Sequence, residues 1–420
     1  MAGPYSTYPP SPNTSFAHLN PSTHVLLEHS DTLGHYIRLQ RGLKCKDLPK
    51  IRCQLRAEAF LTPIVREAVI WMYELEASFH VSSHEANKPT RALELRRKTK
   101  TLFGKDTQSH GWEVGLPRTI KGSDGTVTVA QRVVSRAQLE TSIHPEERDN
   151  MKDEVWVARR SEHRSLPGAR TATWDEFKKS FYGLSHIPTE YSTTKGLKAW
   201  NKVFEWDHAE TLRIKTDGVI YSDFTFAVYE IRHEHAPATP RVFSVLQITF
   251  CKRTNTEERK KDAENLLEEF MVVSLPISDL HLQEEAVITK QPNTKLARYV
   301  AVERFRKRAY VSGDGMPGNA HYGPHYTEWL MATTTDPGFA RGRRGSALKH
   351  IADVKLPGII CEDVSNFFEW LARRRAENAD LPVIAARSQF WERANAVQER
   401  VQTEQESEHE FMTGERKQAV

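Results

Sequence analysis

The chain has 420 residues, of which 39% are hydrophobic and 27% are charged, so it is long and apolar enough to bury a globular core. Its 59 basic and 55 acidic residues are dispersed and leave a net charge of +4, which argues against a nucleic-acid partner. Four cysteines without a Cys-x-x-Cys pair exclude a disulfide framework, and no apolar run reaches the roughly 20 residues that cross a bilayer. Because the N-terminus also lacks the pattern of a secretion signal, we expect a cytoplasmic protein.

The first 150 residues are predicted to form a tail and a helical extension. Residues 1–23 are rich in Pro, Ser and Thr without periodicity, which is typical of a disordered tail. From Ala59 to Phe79, apolar residues recur at helical spacing, and Thr126–Val134 follows as a strand. Because an amphipathic helix must bury its apolar side, we expect residues 24–150 to pack on the domain that follows.

From residue 151 onward the pattern changes to strands separated by polar loops. Segments rich in β-branched and aromatic residues are Glu154–Ser161, Phe224–Ile231, Arg241–Phe250, Glu268–Leu275, Ala297–Arg306 and Tyr326–Thr334. They follow one another without long helices between them, which favours an antiparallel sheet. After the first of them, Thr173 and Glu176 have the spacing of a capping box that begins a short helix.

The clearest helix of the chain is predicted to begin after Pro357-Gly358. One apolar stripe at helical spacing consists of Ile360, Val364, Phe367, Phe368 and Leu371. Such a stripe is usually ordinary core, but beside a long sheet it can also line a ligand cavity. Residues 377–420 become increasingly charged, which is typical of a frayed helix or a disordered tail.

Seven short motifs follow one another between Trp156 and Ile360. They are Trp156–His163, Trp174–Phe177, Thr239–Phe243, Glu269–Ser274, Tyr299–Arg304, Glu328–Thr333 and Leu356–Ile360. Together they resemble a fungal START-like domain family of unassigned function. This sequence departs from the pattern at Val242, where START-type domains usually carry Asp, and the loop from Lys252 to Asn265 is expanded.

The resemblance implies an α+β helix-grip fold for residues 151–376. In this fold a curved antiparallel sheet wraps around a long C-terminal helix, with a cavity between them, and residues 24–150 would be a helical extension. Members of the wider superfamily carry lipids or sterols, bind plant hormones or cyclise polyketides, so the fold leaves the function open.

Two motifs resemble cofactor sites but lack the context that such sites need. Gly313–Gly318 matches G-x-G-x-x-G, but Pro317 prevents the helix that would present amide groups to a dinucleotide, so we expect a hairpin loop. His233 and His235 have a spacing that suits one strand face, but the further ligands that zinc needs lie in a distant loop. We therefore expect neither a metal nor another cofactor.

Charged residues inside the strand patterns are the most informative candidates. An unpaired charge facing an apolar interior costs several kcal/mol, so these residues form either an outward salt-bridge ladder or the polar part of a ligand site. Strand alternation places Glu303 on the face of Tyr299, and Arg159 on the face of Val157. The residues assigned to ligand binding are Arg159, His163, Glu230, Arg241, Tyr299, Glu303, Trp329, Val364, Phe367 and Phe368.

Two functions fit a cavity of this kind, and a third is weaker. The first is binding or transport of a lipid or another hydrophobic small molecule without catalysis. The second is a cyclase or isomerase of fungal secondary metabolism, in which Glu303, His163 or Arg241 moves or stabilises charge. A compact acid–base pair in the cavity favours the enzyme, and a wholly apolar cavity favours the carrier. The third is an interaction module that recruits partners through its charged termini.

A short basic segment, Gly338–Gly345, has two interpretations. Arg341, Arg343 and Arg344 would contact an anionic membrane surface weakly, because each basic residue near the headgroups contributes about 1 kcal/mol. Alternatively, the segment is an exposed loop that balances acidic neighbours.

Overall fold

The computed structural model describes residues 36–39, 42–50, 54–86, 111–140, 152–168, 170–207, 209–234, 239–253, 266–309, 325–336, 338 and 343–379. Its strands are β1 (Glu113–Val114), β2 (Arg118–Thr119), β3 (Thr126–Val134), β4 (Glu154–Arg164), β5 (Leu197–Glu205), β6 (Ile214–Thr216), β7 (Val219–His233), β8 (Arg241–Arg253), β9 (Leu266–Pro276), β10 (Lys295–Ala309) and β11 (His325–Asp336). Its α-helices are α1 (Gln54–Ala86), α2 (Arg136–Glu140), α3 (Trp174–Phe181), α4 (His186–Thr193) and α5 (Arg343–Ala379).

All of these strands join one sheet, in the order β1-β3-β4-β11-β10-β9-β8-β7-β5, while β2 pairs with β3 and β6 pairs with β7. Neighbours along this order are antiparallel, and β8 and β10 add a three-residue parallel contact. The predicted α+β fold, an antiparallel sheet combined with a long C-terminal helix, is confirmed.

Both faces of the sheet are buried, because helices cover each of them. One face packs against α1 with side chains such as Trp156, Val302 and Leu330. Successive side chains of a strand point to opposite faces, so their neighbours Val157, Glu303 and Trp329 lie on the face toward α3, α4 and α5.

Residues before the predicted boundary at 151 belong to the same sheet. Strand β3 pairs with β4 from Val127 opposite Ser161 to Val134 opposite Glu154, and β1 and β2 extend the sheet from β3. The N-terminal extension therefore contributes strands as well as the helix α1.

Local signals predicted several elements well and others poorly. Strand β3 has the predicted bounds, and the capping box is confirmed, because Thr173 Oγ1 accepts from Glu176 N while Glu176 Oε2 accepts from Thr173 N. Helix α5 instead begins at Arg343, well before the predicted start, and passes through Pro357 although that residue removes one backbone hydrogen bond. The sequence analysis did not predict α4 or β5.

Several predictions fall on residues outside the described ranges. These are the tail at 1–23, the segment Gly313–Gly318, His235, Arg341 and residues 380–420. Strands β10 and β11, which flank Gly313–Gly318, pair as antiparallel neighbours. In the described part of the chain, no helix has the length and apolarity needed to span a membrane.

Candidate ligand-binding chamber

Aromatic side chains fill one end of the space between the sheet and α5. The contributors are Phe177 and Phe181 from α3, Phe270, Phe305 and Trp329 from the sheet, and Phe367 and Phe368 from α5. The rings of Phe270 and Phe305 stack with centroids 4.5 Å apart, and those of Phe181 and Phe367 are 4.8 Å apart. This end is packed core, and Val364 belongs to the same cluster.

The next row of side chains across the sheet carries charge. Arg159 on β4 lies opposite Met331 on β11, and Met331 lies opposite Glu303 on β10. The guanidinium of Arg159 lies over the Trp329 ring, 3.7 Å from the centroid, and the side chain is fully buried. Its Nε and Nη1 find no hydrogen-bond partner among the described residues. Buried donors left in this state cost free energy, so an acceptor that reached them would bind favourably.

Glu303 is the centre of a hydrogen-bonded group. His186 Nε2 donates to Glu303 Oε1 over 3.0 Å, and Trp329 Nε1 donates to Oε2 over 2.8 Å. The amide of Gln247 lies 2.8 Å from His186 Nδ1. Burial works against the charged form of each group, but the hydrogen bond and the opposite charge lower the pKa of Glu303 and raise the pKa of His186. The structure thus contains a buried acid–base pair on the α5 face.

A row of mostly small side chains follows the charged row. Opposite one another across five strands lie Val157, Thr333, Ala301, Ser274 and Gln247. Helix α4 lies above this row through His186, and α5 lies above it through Leu356 and Ile360, which pack on Val157. Because Thr, Ala and Ser extend only a short way from the sheet, this row fills less of the interior beneath the two helices than the aromatic rows do.

Three polar side chains line this space. Glu190 of α4, Tyr299 of β10 and Asp363 of α5 are surrounded by protein closely enough that burial raises the pKa of each group. Each nevertheless keeps part of its surface accessible. We infer an internal space lined by Arg159, His186, Glu190, Tyr299, Glu303 and Asp363, and we call it the polar chamber.

The carboxyl groups of the polar chamber differ from Glu303. Burial, with neighbouring carboxylates adding to it, raises the pKa of Glu190 to about 7 and that of Asp363 to about 6. The Oε2 atom of Glu190 has no hydrogen-bond partner in the described part of the chain. These two groups can therefore change protonation near neutral pH.

The structure brings four of the predicted site residues together and shows the orientation of their strands. Arg159, Tyr299, Glu303 and Trp329 all lie on the face of the sheet that α4 and α5 cover, so Arg159 and Glu303 do not form an outward ladder. Phe367 and Phe368 contact Trp329 or Phe177 within the aromatic core.

His163 shares this face but lies apart from the chamber. Its Nε2 is 2.9 Å from Ser161 Oγ, its Nδ1 is 3.3 Å from Ser123 Oγ, and its ring contacts Phe368. Burial, together with the charge of Arg159, lowers the pKa of His163 to about 3, so the ring is neutral. This environment fits a structural histidine.

Glu230 and Arg241 lie elsewhere. Strand alternation places Glu230 of β7 on the sheet face that packs against α1. Its carboxylate accepts hydrogen bonds from the backbone N–H groups of Val287, Ile288 and Thr289. Arg241 begins β8, is partly exposed, and donates to the carbonyl oxygen of Thr239. Neither joins the polar chamber.

The sequence analysis missed His186, Glu190 and Asp363. His186 and Glu190 lie in α4, a short helix with Pro188 and several polar residues, which gives no clear periodicity. Asp363 offered a signal, because it lies three residues after Ile360 and four before Phe367, at the edge of the apolar stripe. A carboxylate at the edge of an apolar stripe, such as Asp363, is therefore a pattern from which a polar site residue can be predicted. Among the described residues, no group of three or more His, Cys, Asp or Glu is placed to hold a metal.

Comparisons with known proteins give a family and several structural likenesses. Residues 156–371, just over half of the chain, match a family described as protein of unknown function, DUF3074. A search of curated proteins finds no match.

Three human structures with START-related titles resemble the chain. The StarD13 (DLC2) lipid transfer and protein localization domain has a TM-score of 0.33 and 12% identity, covering 66% of this chain and 95% of its own. STARD10 has a TM-score of 0.34 and 8% identity, covering 68% and 82%. StAR-related lipid transfer protein 5 has a TM-score of 0.35 and 11% identity, covering 71% and 99%.

Proposed function

The chain belongs to the DUF3074 family of proteins of unknown function, and from this premise we propose that it binds a lipid or another hydrophobic small molecule in the polar chamber. The observation that carries the proposal is the row of short side chains, Ala301, Ser274 and Thr333, beneath α4 and α5. The adjoining aromatic core and Ile360 supply apolar contacts. The polar groups around Arg159 would then orient one polar end of the ligand.

Two energetic effects support binding at this position. Each square ångström of apolar ligand surface removed from water contributes about 25 cal/mol before the costs of ordering. A ligand oxygen that accepted from Arg159 would also satisfy a buried charged donor, an interaction that contributes about 1.5–3 kcal/mol.

Native mass spectrometry of the purified full chain tests the proposal. We expect a reproducible adduct of one small molecule, which an organic extract of the protein then identifies. Ala301→Leu fills the small-residue row and should reduce the adduct at least fivefold. Ala309→Leu is the matched control, because Ala309 lies at the far end of the same strand and is partly exposed. Protein that is recovered empty, and that takes up nothing from a broad lipid panel, would contradict the proposal.

A cyclase or isomerase is the second candidate, and the buried His186–Glu303 pair favours it. Both ring nitrogens of His186 and both oxygens of Glu303 already have a partner within the protein, however, so a substrate would have to share or displace these contacts. Glu190, with its unpaired Oε2, is then the group that would transfer a proton. Incubation of the extracted compound with the purified chain distinguishes the two candidates, because a carrier leaves the compound unchanged and an enzyme converts it.

Location and membrane contact stay predictions. Arg343 and Arg344 lie in the first turn of α5, which places them at the start of the helix that covers the chamber. Cosedimentation with anionic vesicles, compared between the wild-type chain and the Arg343→Gln, Arg344→Gln double variant, tests the membrane contact. Cell fractionation tests the cytoplasmic location.

A further inference from the structure

We propose that the ligand of the polar chamber is an amphipathic carboxylic acid, whose carboxylate pairs with Arg159 and whose binding draws one proton into the chamber. This inference rests on the proposed function and names its ligand class. It follows from what surrounds Arg159 and from the balance of charges that face the chamber.

Arg159 carries a buried guanidinium with unpaired donors. The side chain is buried on every side, yet no described carboxylate lies within ion-pair distance of it, and Nε and Nη1 have no acceptor. The nearest candidate, Glu303, already uses both oxygens for His186 and Trp329. A planar guanidinium with free donors matches a carboxylate in shape and charge better than it matches a single hydroxyl.

The second argument is the charge balance of the chamber. The groups that face it are Arg159 from β4, Tyr299 and Glu303 from β10, His186 and Glu190 from α4, and Asp363 from α5, with Cys361 and the exposed Glu362 next to Asp363 in the helix. Near neutral pH, Glu303 and Asp363 carry negative charge, while Glu190 is partly protonated. A further carboxylate adds to this negative charge and therefore favours uptake of a proton by one of the acidic groups.

Glu190 and Asp363 can accept that proton. Their pKa values, raised to about 7 and about 6 in the empty chamber, would rise further beside a bound carboxylate. Because binding takes up a proton, affinity for an acid should increase as the pH falls, by up to about tenfold per pH unit for one proton. An alcohol with the same chain brings no charge, so its affinity should change little over this range.

Isothermal titration calorimetry of the delipidated full chain tests the inference. The probes are saturated fatty acids and the alcohols of the same chain lengths, each titrated at several pH values between about 6 and about 8. We expect the acids to bind more tightly than the alcohols, with an affinity that rises toward low pH. Titrations in buffers of different ionisation enthalpy should show proton uptake for the acids only.

Three variants separate the contributions of individual groups. Arg159→Gln should weaken acid binding at least tenfold and leave alcohol binding within twofold, while the exposed Arg56→Gln serves as the matched control. Glu190→Gln places an uncharged group beside the ligand, so it should retain acid binding and show a shallower dependence on pH. If Arg159→Gln does not fold by circular dichroism, the Glu190→Gln slope alone decides.

The two levels of the proposal fail in different ways. Equal, pH-independent binding of acids and alcohols would overturn the carboxylic-acid inference and leave hydrophobic-ligand binding intact. Binding of neither series, by protein that is also recovered empty from cells, would overturn the proposed function. Acid binding that Arg159→Gln leaves unchanged would exclude Arg159 as the carboxylate partner.

Discussion

Two buried histidines on the same face of the sheet show how the environment assigns different roles to one residue type. His186 contacts Glu303, and the carboxylate raises its pKa, whereas His163 lies between two serine hydroxyls and aromatic rings, and burial lowers its pKa to about 3. His186 is thus stabilised in the charged form and His163 in the neutral form. Sequence alone singled out His163 and not His186, because only His163 lies in one of the motifs that carry the family resemblance.

His163 should make the protein sensitive to acid. The unfolded chain takes up a proton at His163 near pH 6.5, while the folded chain resists it down to about pH 3. As the pH falls from about 6.5 to about 3, His163 should therefore lower the free energy of unfolding by about 1.4 kcal/mol per pH unit. Urea unfolding of the wild-type chain and His163→Gln, at a series of pH values, measures the effect. Parallel profiles for the two proteins would contradict it.

Helix α1 illustrates how an element outside the matched family region is fixed to the sheet by charge. Arg304 Nη2, Arg306 Nη1 and Arg308 Nη2 on β10 lie 2.7, 2.6 and 2.9 Å from the carboxylate of Glu76 on α1. All four side chains are buried, and the arginines hold the pKa of Glu76 well below its usual range despite burial. This buried ion cluster lies on the sheet face opposite the chamber, and the sequence analysis did not predict it.

Removal of this carboxylate should destabilise the whole fold. Glu76→Gln removes the carboxylate partner of the buried Arg304 and leaves Arg306 with Glu269 and Arg308 with Glu328, and breaking a buried pair of this kind costs about 3–5 kcal/mol. Glu58→Gln, an exposed change on the same helix, should cost less than about 0.5 kcal/mol. Denaturant unfolding compares the two variants with the wild-type chain, and similar midpoints for Glu76→Gln and Glu58→Gln would show that the cluster contributes little.

Elements with a strong two-residue period could be predicted from the sequence, and those defined by tertiary contacts could not. The apolar and β-branched residues of β3, β8 and β10 predict these strands from the sequence. Helix α4 has no such period, since its place depends on His186 reaching Glu303 and Gln247 across the interior. Of the chamber's polar groups, Arg159, Tyr299 and Glu303 were predicted, and His186, Glu190 and Asp363 were not. Cross-strand register and helix position decide which of these side chains meet, and neither can be read from the sequence.

At the scale of the whole molecule, one sheet separates two interiors with different properties. The α1 face is a continuous apolar core with an ion cluster, and the opposite face divides into an aromatic core and the polar chamber. Aromatic rings fill the interior beside Phe367, and the polar chamber that we infer next to it is lined by groups that include Arg159, Glu190 and Asp363. A ligand for this chamber needs a polar end as well as an apolar body.

A crystal structure of the full chain with the compound extracted from it tests the central claim most directly. We predict electron density for the ligand between α4, α5 and the row formed by Thr333, Ala301 and Ser274, with a ligand oxygen at hydrogen-bond distance from Arg159. Ligand density on the α1 face or on the outer surface, with Arg159 still lacking an acceptor, would contradict the account.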